Sequence, residues 1–506
     1  MDTDEHRKNW IKLFKDFNTR KKVNDDGYKH KKMNNMSSRD SERFTRLSPE
    51  QSDKIHAASL EILERIGVRM YLDEAIELLR KGGATVEDGN LVRIPAGRVE
   101  WALASAPKQV ALFNRQGAPA ILLGDGRCFY GPGSDCLNII DHRSGERRKP
   151  LLQDVVEGAR LCDALAEIDF VMSMVLPTDV DQTLADVYQM RAMLENSAKP
   201  IVYVSYEAGG LVDAVEMAEA VVGGAEALQR TPILTCYINV VSGSVHNESG
   251  LQKLLYLARK GLPALYIPGS NAGVTSPMTM AGAVALDLAG GLAGLVVAQL
   301  AREGAPYIMS AMDPAALDMR TMVSPYGYPE RGIIRSMAKR YGLPSFSLAG
   351  GSDAKTVDQQ AAAEAALTLL ADTLMGGNLI HDLGYLESGL TFSFAQLVIC
   401  SEIVSWIKGF LSSLDISDEA LALDVIEQVG AHGQYLKTDH TLKHFRDHWY
   451  PAVFERGNFQ DWTQKGGLTL GELAAGRVQK ILAGHQPEPL PEEVRRRLDE
   501  IVSHGH

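Results

Sequence analysis

The sequence predicts an α/β protein whose main domain is a (β/α)8 barrel, with an α+β cap before it and a helical extension after it. Eight short runs of apolar, β-branched or aromatic residues alternate with helical segments that are long enough to cross back over a sheet. Several runs follow a Gly/Pro helix stop, such as Gly342-Leu343-Pro344. An open doubly wound sheet is the competing interpretation.

Composition excludes several classes of protein. The 506 residues carry a net charge of -12, which argues against a nucleic-acid binder. Five cysteines without a C-x-x-C pair indicate a reducing, cytoplasmic setting. The first ten residues, MDTDEHRKNW, contain no secretory apolar region. The long apolar stretch Met278–Leu300 includes Asp287 and Gln299, so we interpret it as a buried helix.

The chain begins with residues 1–45, which are polar and predict a flexible extension. Residues 46–126 predict the α+β cap. Its first helix starts at Ser48 as N-cap, with Pro49 at the first position and Gln51 completing a capping box, and runs to about Ile66. The rest of the cap is expected to contain helices over 72–81 and 96–105 and a hairpin of 110–113 with 120–123.

Residues 127–413 predict the barrel, with a hairpin inserted after its first strand. The remaining residues, 414–506, are expected to be helical and to end in a charged amphipathic helix. The predicted strands are 128–130, 170–175, 201–206, 233–240, 264–268, 307–312, 345–348 and 378–380. The predicted helices are 151–165, 181–196, 211–228, 247–259, 280–302, 330–341, 357–375 and 393–410.

Polar and aromatic residues at the ends of these strands predict a site at one mouth of the barrel, because the carboxyl ends of parallel strands carry the chemistry of α/β folds. An acidic, histidine-containing group would be formed by Asp353, His381 and Glu387, and Asp313 and Asn239 end neighbouring strands. An aromatic box with a carboxylate suits a quaternary ammonium ion through cation–π attraction. The aromatic candidates are Tyr130, Tyr206, Tyr385 and Phe392.

Each of these residues also has a purely structural interpretation. Asp353 is placed to cap the helix that follows it, and the rings are equally suited to core packing. Lys355 raises the alternative of a Schiff-base enzyme, although a turn before a helix favours solvent exposure. The pair His440 and His444 has the spacing of metal ligands on one helix face, but lacks a third ligand; no metal site is predicted.

Five segments resemble the trimethylamine methyltransferase family of corrinoid-dependent enzymes. The resemblance covers roughly residues 43–480. Its segments are RFTRLSPEQSDKIHAASLEILERIGV (43–68), FYGPGSDCLNIID (129–141), SLAGGSDAKTVDQQAAAEAAL (347–367), NLIHDLGYLESGLTFS (378–393) and HTLKHFRDHWYP (440–451).

The resemblance implies a TIM barrel that passes a methyl group from an amine to the cobalt of a separate corrinoid protein. Trimethylamine members carry pyrrolysine in or near the segment that matches 350–360, which here reads GGSDAKTVDQQ. This departure implies the non-pyrrolysine branch, which includes glycine betaine methyltransferase. The expected substrate is therefore glycine betaine or a similar betaine, such as proline betaine, carnitine or γ-butyrobetaine.

The resemblance also implies roles for the strand-end residues. Asp353, Glu387 or Asp313 would balance the ammonium charge, and His381 would bind the substrate carboxylate. The cobalamin would be carried by the partner protein, with no metal bound directly, and we expect a cytoplasmic homo-oligomer. The alternative is a non-catalytic protein that binds quaternary amines or serves as a scaffold for the corrinoid protein.

Overall fold

The computed structural model describes residues 44–505. The extension predicted over residues 1–45 therefore lies outside the described residues, except for its last two positions. Helix α1 (Pro49–Glu61) begins as predicted. The Ser48 hydroxyl accepts from the backbone N–H of Gln51, and the Gln51 side chain accepts from the Ser48 N–H. This capping box satisfies two N–H groups that a helix start leaves free. A π-helical turn, Ile62–Ile66, extends the helix.

The cap follows the predicted order of elements. Strands β1, β2 and β3 form a small antiparallel sheet, and helix α2 packs against it. A separate hairpin of β4 and β5 leads into the main sheet. The elements are β1 (Val68–Met70), α2 (Asp73–Lys81), β2 (Thr85–Glu87), β3 (Leu91–Arg93), α3 (Ala96–Ser105), β4 (Val110–Phe113) and β5 (Pro119–Leu123).

The main sheet has seven parallel strands. They lie in the order β6-β12-β11-β10-β9-β8-β7, so each strand neighbours the next one along the chain and β12 returns to β6. Every neighbouring pair is parallel. The strands are β6 (Phe129–Pro132), β7 (Ile201–Val204), β8 (Leu234–Asn239), β9 (Ala264–Ile267), β10 (Tyr307–Ser310), β11 (Ser345–Leu348) and β12 (Leu379–Leu383).

The predicted second strand, 170–175, is not a regular strand, which corrects the expected count of eight. Val171 makes a single parallel bridge to Ile201 of β7. Further along, the N–H of Met174 donates to the carbonyl of Gly133, which follows β6, over 3.0 Å. Met174 has a positive φ of 63°, and this left-handed residue interrupts the extended run.

Side chains from one face of the sheet meet in a single apolar cluster. The sheet must therefore curl, because strands at its two edges contribute to the same cluster. The β4–β5 hairpin adds its own apolar residues and covers the end of the sheet where the strands begin. The cluster contains Val110, Leu112, Ile121, Leu123, Phe129, Phe170, Met172, Val202, Leu265, Ile267, Ile308, Phe346 and Leu379.

Helices cover the outer face of the sheet, close to the predicted positions. The predicted helix over 211–228 is split in two, because Gly223 and Gly224 both adopt positive φ. The helices are α4 (Leu152–Ala164), α5 (Ala185–Asn196), α6 (Ala208–Val222), α7 (Ala225–Arg230), α8 (Glu248–Lys260), α9 (Met280–Ala301), α10 (Ile333–Tyr341), α11 (Gln359–Leu374) and α12 (Phe394–Phe410).

Within the described residues, α9 is the one helix whose length and composition would suit a membrane span. Other parts of the protein bury 78% of its apolar window. The prediction of a buried core helix is confirmed. The inserted hairpin is also present, as the antiparallel strands Asn138–Ile140 and Arg147–Arg148.

The C-terminal region is helical, as predicted. Helix α17 packs along α12, and α18 packs on α6. Four short helices lie between α12 and α17. The elements are α13 (Asp418–Leu421), α14 (Leu423–Val429), α15 (Asp439–His444), α16 (Phe459–Gln464), α17 (Leu470–Gly484) and α18 (Glu492–His504).

Candidate functional site

A cavity of about 240 Å³ opens where strands β8 to β11 end. This volume lies below the roughly 300 to 1,000 Å³ of sites for drug-sized ligands, so the cavity suits a small molecule. Its wall combines aromatic rings with carboxylate, amide and hydroxyl groups. Among the lining residues are Tyr237, Asn239, Ser270, Asn271, Asp287, Met312, Asp313, Tyr326 and Leu348.

The carboxylate of Asp382 lies at the end of β12 and is buried. A β-bulge shifts the register between Ile380 and Leu383, and Asp382 itself has a positive φ of 79°. One carboxylate oxygen accepts a 3.0 Å hydrogen bond from the Tyr326 hydroxyl. Burial raises the pKa of Asp382, although the nearby His381 opposes this shift.

His381 precedes Asp382 and points into the barrel interior. Its ring stacks on Phe346 with centroids 3.9 Å apart, and Nδ1 lies 2.8 Å from the Ser347 carbonyl oxygen. A carbonyl oxygen only accepts, so Nδ1 carries a proton. Nε2 lies 3.3 Å from Oδ1 of Asp382.

Asp135 supplies a second carboxylate, in the loop that follows β6. It is partly buried and also has a positive φ, 58°. Oδ1 accepts from the Ser173 hydroxyl over 3.1 Å and from the Gln189 amide over 3.2 Å. Desolvation outweighs these bonds and raises the pKa of Asp135 to about 6. Within residues 44–505, no Lys, Arg or His forms an ion pair with it.

Aromatic rings connect the two carboxylates. Burial raises the pKa of Tyr237, and the charges of Asp382 and Asp135 raise it further. Tyr326 and Tyr385 stand edge to face, with centroids 6.2 Å apart. Tyr237 and Tyr326 also line the cavity, whereas Asp135 and Asp382 lie behind its wall. Tyr326 connects the cavity to Asp382 through its hydroxyl hydrogen bond.

The far wall of the cavity offers neutral donors. Asn239 is exposed at the end of β8. The Ser270 side chain is buried beside the Asp287 carboxylate and interacts with it. The backbone N–H of Ser270 donates to Asp287, whose pKa burial raises to about 7. This wall is thus able to donate hydrogen bonds to a small anionic group.

Comparison with known proteins identifies the family. The family model described as trimethylamine methyltransferase (MTTB) matches residues 18–505. The chain belongs to the trimethylamine methyltransferase family. It is 33% identical over 462 residues to the trimethylamine methyltransferase MttB of Desulfitobacterium hafniense, covering 90% of this chain and 93% of that one.

Two further relatives show the breadth of the trimethylamine methyltransferase family. The chain is 30% identical to a glycine betaine methyltransferase from another Desulfitobacterium hafniense strain, with 91% of this chain and 97% of that one covered. It is 29% identical to the trimethylamine methyltransferase MttB of Methanosarcina barkeri, with 88% and 92% covered. All three relatives carry the name methyltransferase, and this chain is accordingly an enzyme of that class.

Two carboxylates predicted as catalytic are occupied by structural contacts. Asp353 accepts from the backbone N–H groups of Tyr326 and Gly327 and from the Ser388 hydroxyl at 2.7 Å. Helix α11 is capped by Asp358 instead. Burial would raise the pKa of Glu387, but bonds from Thr391 and Arg147 lower it overall.

Two further predicted residues are tied to helices. The Asp313 carboxylate lines the cavity but accepts from backbone N–H groups at the start of α10, including that of Ile334 at 2.8 Å. Burial raises its pKa to about 6, which these bonds oppose. The Tyr130 hydroxyl lies 2.8 Å from Thr373 of α11, and its ring lies under Lys408 of α12. Tyr130 therefore faces the helices and not the mouth.

The remaining predicted residues lie near the site. The Tyr206 hydroxyl donates to Asp135 over 3.4 Å, and Asn239 lines the cavity. The Tyr385 hydroxyl donates to the Ser134 carbonyl, and its ring is packed edge to face against the buried Phe392.

Lys355 and the histidine pair lie away from the site. Lys355 is exposed, and its amine donates to the Asp353 carbonyl oxygen. The His440 and His444 rings lie 4.5 Å apart and contact Glu419 and Asp447. Across residues 44–505, no group of three or more His, Cys, Asp or Glu side chains is arranged to hold a metal ion.

Asp135 and Asp382 were noted as polar residues at strand ends but were not chosen as catalytic or binding residues, and Tyr237 was not singled out from the sequence at all. Both aspartates follow predicted strands, and this position was the feature of the sequence that pointed to a role in the site. Tyr237 falls inside a predicted strand, where only the inward or outward direction of alternate residues separates cavity residues from core residues.

Proposed function

We propose that this enzyme transfers a methyl group from a small quaternary amine, with glycine betaine as the first candidate, to the cobalt(I) of a corrinoid carried by a separate protein. The observation that carries the proposal is the pair Asp135 and Asp382. Both carboxylates lie among tyrosine rings, and Asp135 has no ion-pair partner among the described residues. A quaternary ammonium supplies the missing charge and also binds to ring faces.

A betaine has an anionic end as well, and the cavity suits it. Nδ1 of His381 donates to the Ser347 carbonyl and Nε2 faces the Asp382 carboxylate, so we no longer assign the substrate carboxylate to this residue. We assign it to the far wall of the cavity, where the exposed Asn239 offers a neutral donor. In this orientation the ammonium lies between the rings and the carboxylates.

The chemistry then depends on positioning. The carbon–nitrogen bond of one methyl group breaks, its electron pair stays on nitrogen, and a neutral tertiary amine leaves. The cobalt(I) of the partner supplies the electron pair for the new bond to carbon. The tyrosine rings and both carboxylates hold the cation with one methyl group directed at the acceptor, which lowers the entropic cost of reaction. The ordinary residues over 350–360 support a substrate that needs no further activation.

We infer that the seven-stranded sheet belongs to a (β/α)8 barrel with an irregular second strand. The backbone of 169–176 hydrogen-bonds to both edges of the sheet: Val171 donates to Pro200 over 2.9 Å, and Leu176 donates to Cys136 over 3.0 Å.

We keep the division into a cap (46–126), a barrel (127–413) and a C-terminal region (414–506) as part of this proposal. The five cysteines, which include no C-x-x-C pair, support the prediction of a cytoplasmic enzyme.

The test mixes the purified protein with free cob(I)alamin and, separately, glycine betaine, proline betaine, carnitine, γ-butyrobetaine or trimethylamine. We expect the spectrum of methylated cobalamin with at least one quaternary amine and none with trimethylamine. Methylation from trimethylamine alone would contradict the proposal. Heat of binding in calorimetry without methyl transfer from any amine would instead indicate a non-catalytic binding protein.

A further inference from the structure

The charged side chains in the wall of the cavity are all acidic, although one end of a betaine is an anion. Among the described residues that line the cavity, none is Lys, Arg or His, and two are aspartates, Asp287 and Asp313. A carboxylate against this wall therefore meets neutral donors and no cationic side chain. An ionised aspartate beside it would repel it, because like charges in contact strongly disfavour binding.

The two aspartates differ in how their charge is balanced. Asp313 accepts hydrogen bonds from three backbone N–H groups around the start of α10, and the nearby charges of Arg331 and Arg335 favour its ionised form. Asp287 of α9 is only 4% exposed. Its described donors belong to one residue, Ser270, which bonds to it through the backbone N–H at 3.2 Å and through the side chain. Within residues 44–505, no cation balances the charge of Asp287.

Asp287 shares a wall with the donor to which we assign the substrate carboxylate. Asn239 ends β8 and lies opposite Ile267 in the register of β8 with β9. Three residues beyond Ile267, the N–H of Ser270 binds Asp287. Asn239, Ser270 and Asp287 all line the cavity. A substrate carboxylate held by Asn239 therefore lies against the same wall as Asp287.

We propose that Asp287 recognises the carboxylate of the substrate as a neutral acid, and that it takes up one proton from solvent when a betaine binds. The protonated carboxyl group donates a hydrogen bond to the substrate carboxylate and removes the repulsion between them. The orientation of the betaine comes from the proposed function, whereas proton uptake is measured by binding alone. Asp287 thereby determines specificity, since an amine without a carboxylate does not require the proton.

Protonation of Asp287 is easier than repulsion is to tolerate. Burial raises its pKa to about 7, and Asp313 is the one other charged group within the described residues that acts on it, in the same direction. At about pH 8, protonation therefore lowers the affinity only about tenfold. Two ionised carboxylates in contact would lower it roughly a hundredfold or more. Binding with uptake of a proton is thus the favoured course.

The test is calorimetric titration of the full chain at about pH 8 in two buffers that differ in their enthalpy of ionisation. The difference between the two apparent binding enthalpies counts the protons exchanged. We expect uptake of close to one proton with glycine betaine and none with tetramethylammonium, which has the cationic group but no carboxylate. Asp135, with a pKa of about 6, is already ionised under these conditions and does not contribute.

Two variants assign the proton to a residue. Asp287→Asn should still bind betaine but without proton uptake, because the amide donates a hydrogen bond at any pH. Its affinity for tetramethylammonium should stay within about twofold of that of the unmodified protein. Asp169→Asn is the matched control, since burial also raises the pKa of Asp169, which does not line the cavity. This control should keep the full uptake with betaine.

Betaine binding without proton uptake would overturn the proposal, and so would uptake that persists in Asp287→Asn. Proton release, together with weaker binding of tetramethylammonium to Asp287→Asn, would overturn it as well and make Asp287 a counter-ion of the ammonium. The comparison of the two ligands on the unmodified protein decides the matter if the variant fails to fold. Failure of the proposed function has a different signature: neither betaine nor tetramethylammonium would bind, and both proposals would fall.

Discussion

Two aspartates in left-handed conformations define the chemistry of the site at the scale of single residues. Positive φ is uncommon for residues other than glycine and costs free energy that the surrounding structure must balance. Asp135 and Asp382 share this feature, and each directs a carboxylate at the same tyrosine rings. Strain and desolvation at both positions are typical of a site that is shaped for a ligand and not for stability.

Asp135→Asn should increase the stability of the protein at neutral pH. The folded pKa of about 6 lies above the ordinary value of 3.8, so the charged form is disfavoured in the folded state. Stability is therefore lost as pH rises from about 4 through 6, and a neutral amide avoids that loss. We expect a gain on the order of 2 kcal/mol at about pH 8 in urea unfolding. The gain should shrink at about pH 5, and a variant that is less stable at both pH values would contradict this expectation.

The same substitution should weaken substrate binding. Removal of one partner from a buried charge pair costs about 2 to 5 kcal/mol, or roughly thirtyfold or more in affinity. In the unmodified enzyme, betaine affinity should fall below about pH 6 as Asp135 takes up a proton. Calorimetric titration across this range measures both effects. In the asparagine variant the pH dependence near 6 should disappear, and its persistence would assign that titration to another group.

Gly133→Ala should lower the rate of methyl transfer by roughly a hundredfold through a purely steric effect. A Cβ atom at Gly133 would collide with the Tyr385 ring and with Oδ1 of Asp382. Both groups would be displaced from the site, and a displacement of about 1 Å is enough to cost roughly a hundredfold in rate. Gly97→Ala is the matched control, because its Cβ would meet nothing within 4 Å. Equal activity of both variants would mean that the arrangement of Tyr385 and Asp382 has no part in the reaction.

Residue direction within a strand explains which site residues the sequence could predict. In a regular strand, neighbours point to opposite faces, so Phe129 facing the interior sends Tyr130 to the helices. The same rule would send Asp382 away from the mouth once His381 faces inward. The bulge in β12 reverses that direction. No local pattern of residue types encodes the bulge, which is why position at a strand end was predictable and orientation was not.

At the scale of elements, the turn after β11 holds a neighbouring loop in place. The Asp353 carboxylate binds the backbone of Tyr326 and Gly327, and the Tyr326 hydroxyl in turn binds Asp382. This connection runs from the turn to the carboxylate of the site through one loop. Asp353 does not line the cavity, so within the proposed function we assign it the role of a positioning residue.

Asp353→Ala should release this loop and raise KM more than it lowers kcat. Loss of the acceptor leaves two backbone N–H groups without their partner, which costs about 1 to 3 kcal/mol for each group that stays buried. Steady-state kinetics with betaine and cob(I)alamin separates the two constants. Lys355→Met is the control, because its exposed amine binds only a carbonyl oxygen in the same turn, and it should keep full activity. Loss of activity in the lysine variant would revive the Schiff-base hypothesis.

The order of the elements was largely predictable. Seven of the eight strands and all the crossover helices lie within a few residues of their predicted positions, because each combines an apolar run with a Gly or Pro stop. The exception, 170–175, has the composition of a strand, but its φ at Met174 prevents regular pairing. The apolar composition of residues 170–175 predicts that they are buried, and they are. Regular hydrogen bonding between strands also requires particular backbone angles, which amino-acid composition does not specify.

At the scale of the whole molecule, the cap and the sheet share one interior. Leu112 of the hairpin is fully buried against residues from the strands of the main sheet, in the cluster that includes Phe346 and Ile308. The hairpin backbone is joined to the sheet as well, since Phe113 donates to the Pro232 carbonyl over 2.9 Å. The hairpin thus closes one end of the interior of the curled sheet, and the candidate site lies at the opposite end.

Leu112→Ala should therefore destabilise the sheet and not only the cap. Truncation of a buried leucine leaves a cavity that lowers the free energy of unfolding by about 2 to 5 kcal/mol. Because Leu112 shares its cluster with strand residues, this loss of stability should affect the main sheet as well as the cap. We expect the temperature at which the amides of the main sheet lose hydrogen-exchange protection to fall together with the midpoint of unfolding followed by far-UV circular dichroism. Leu367→Ala, at an exposed position, provides the baseline. If the cap unfolded first while the sheet kept its own transition, the hairpin would be a detachable lobe, and the geometry of Asp135 and Asp382 would not depend on it.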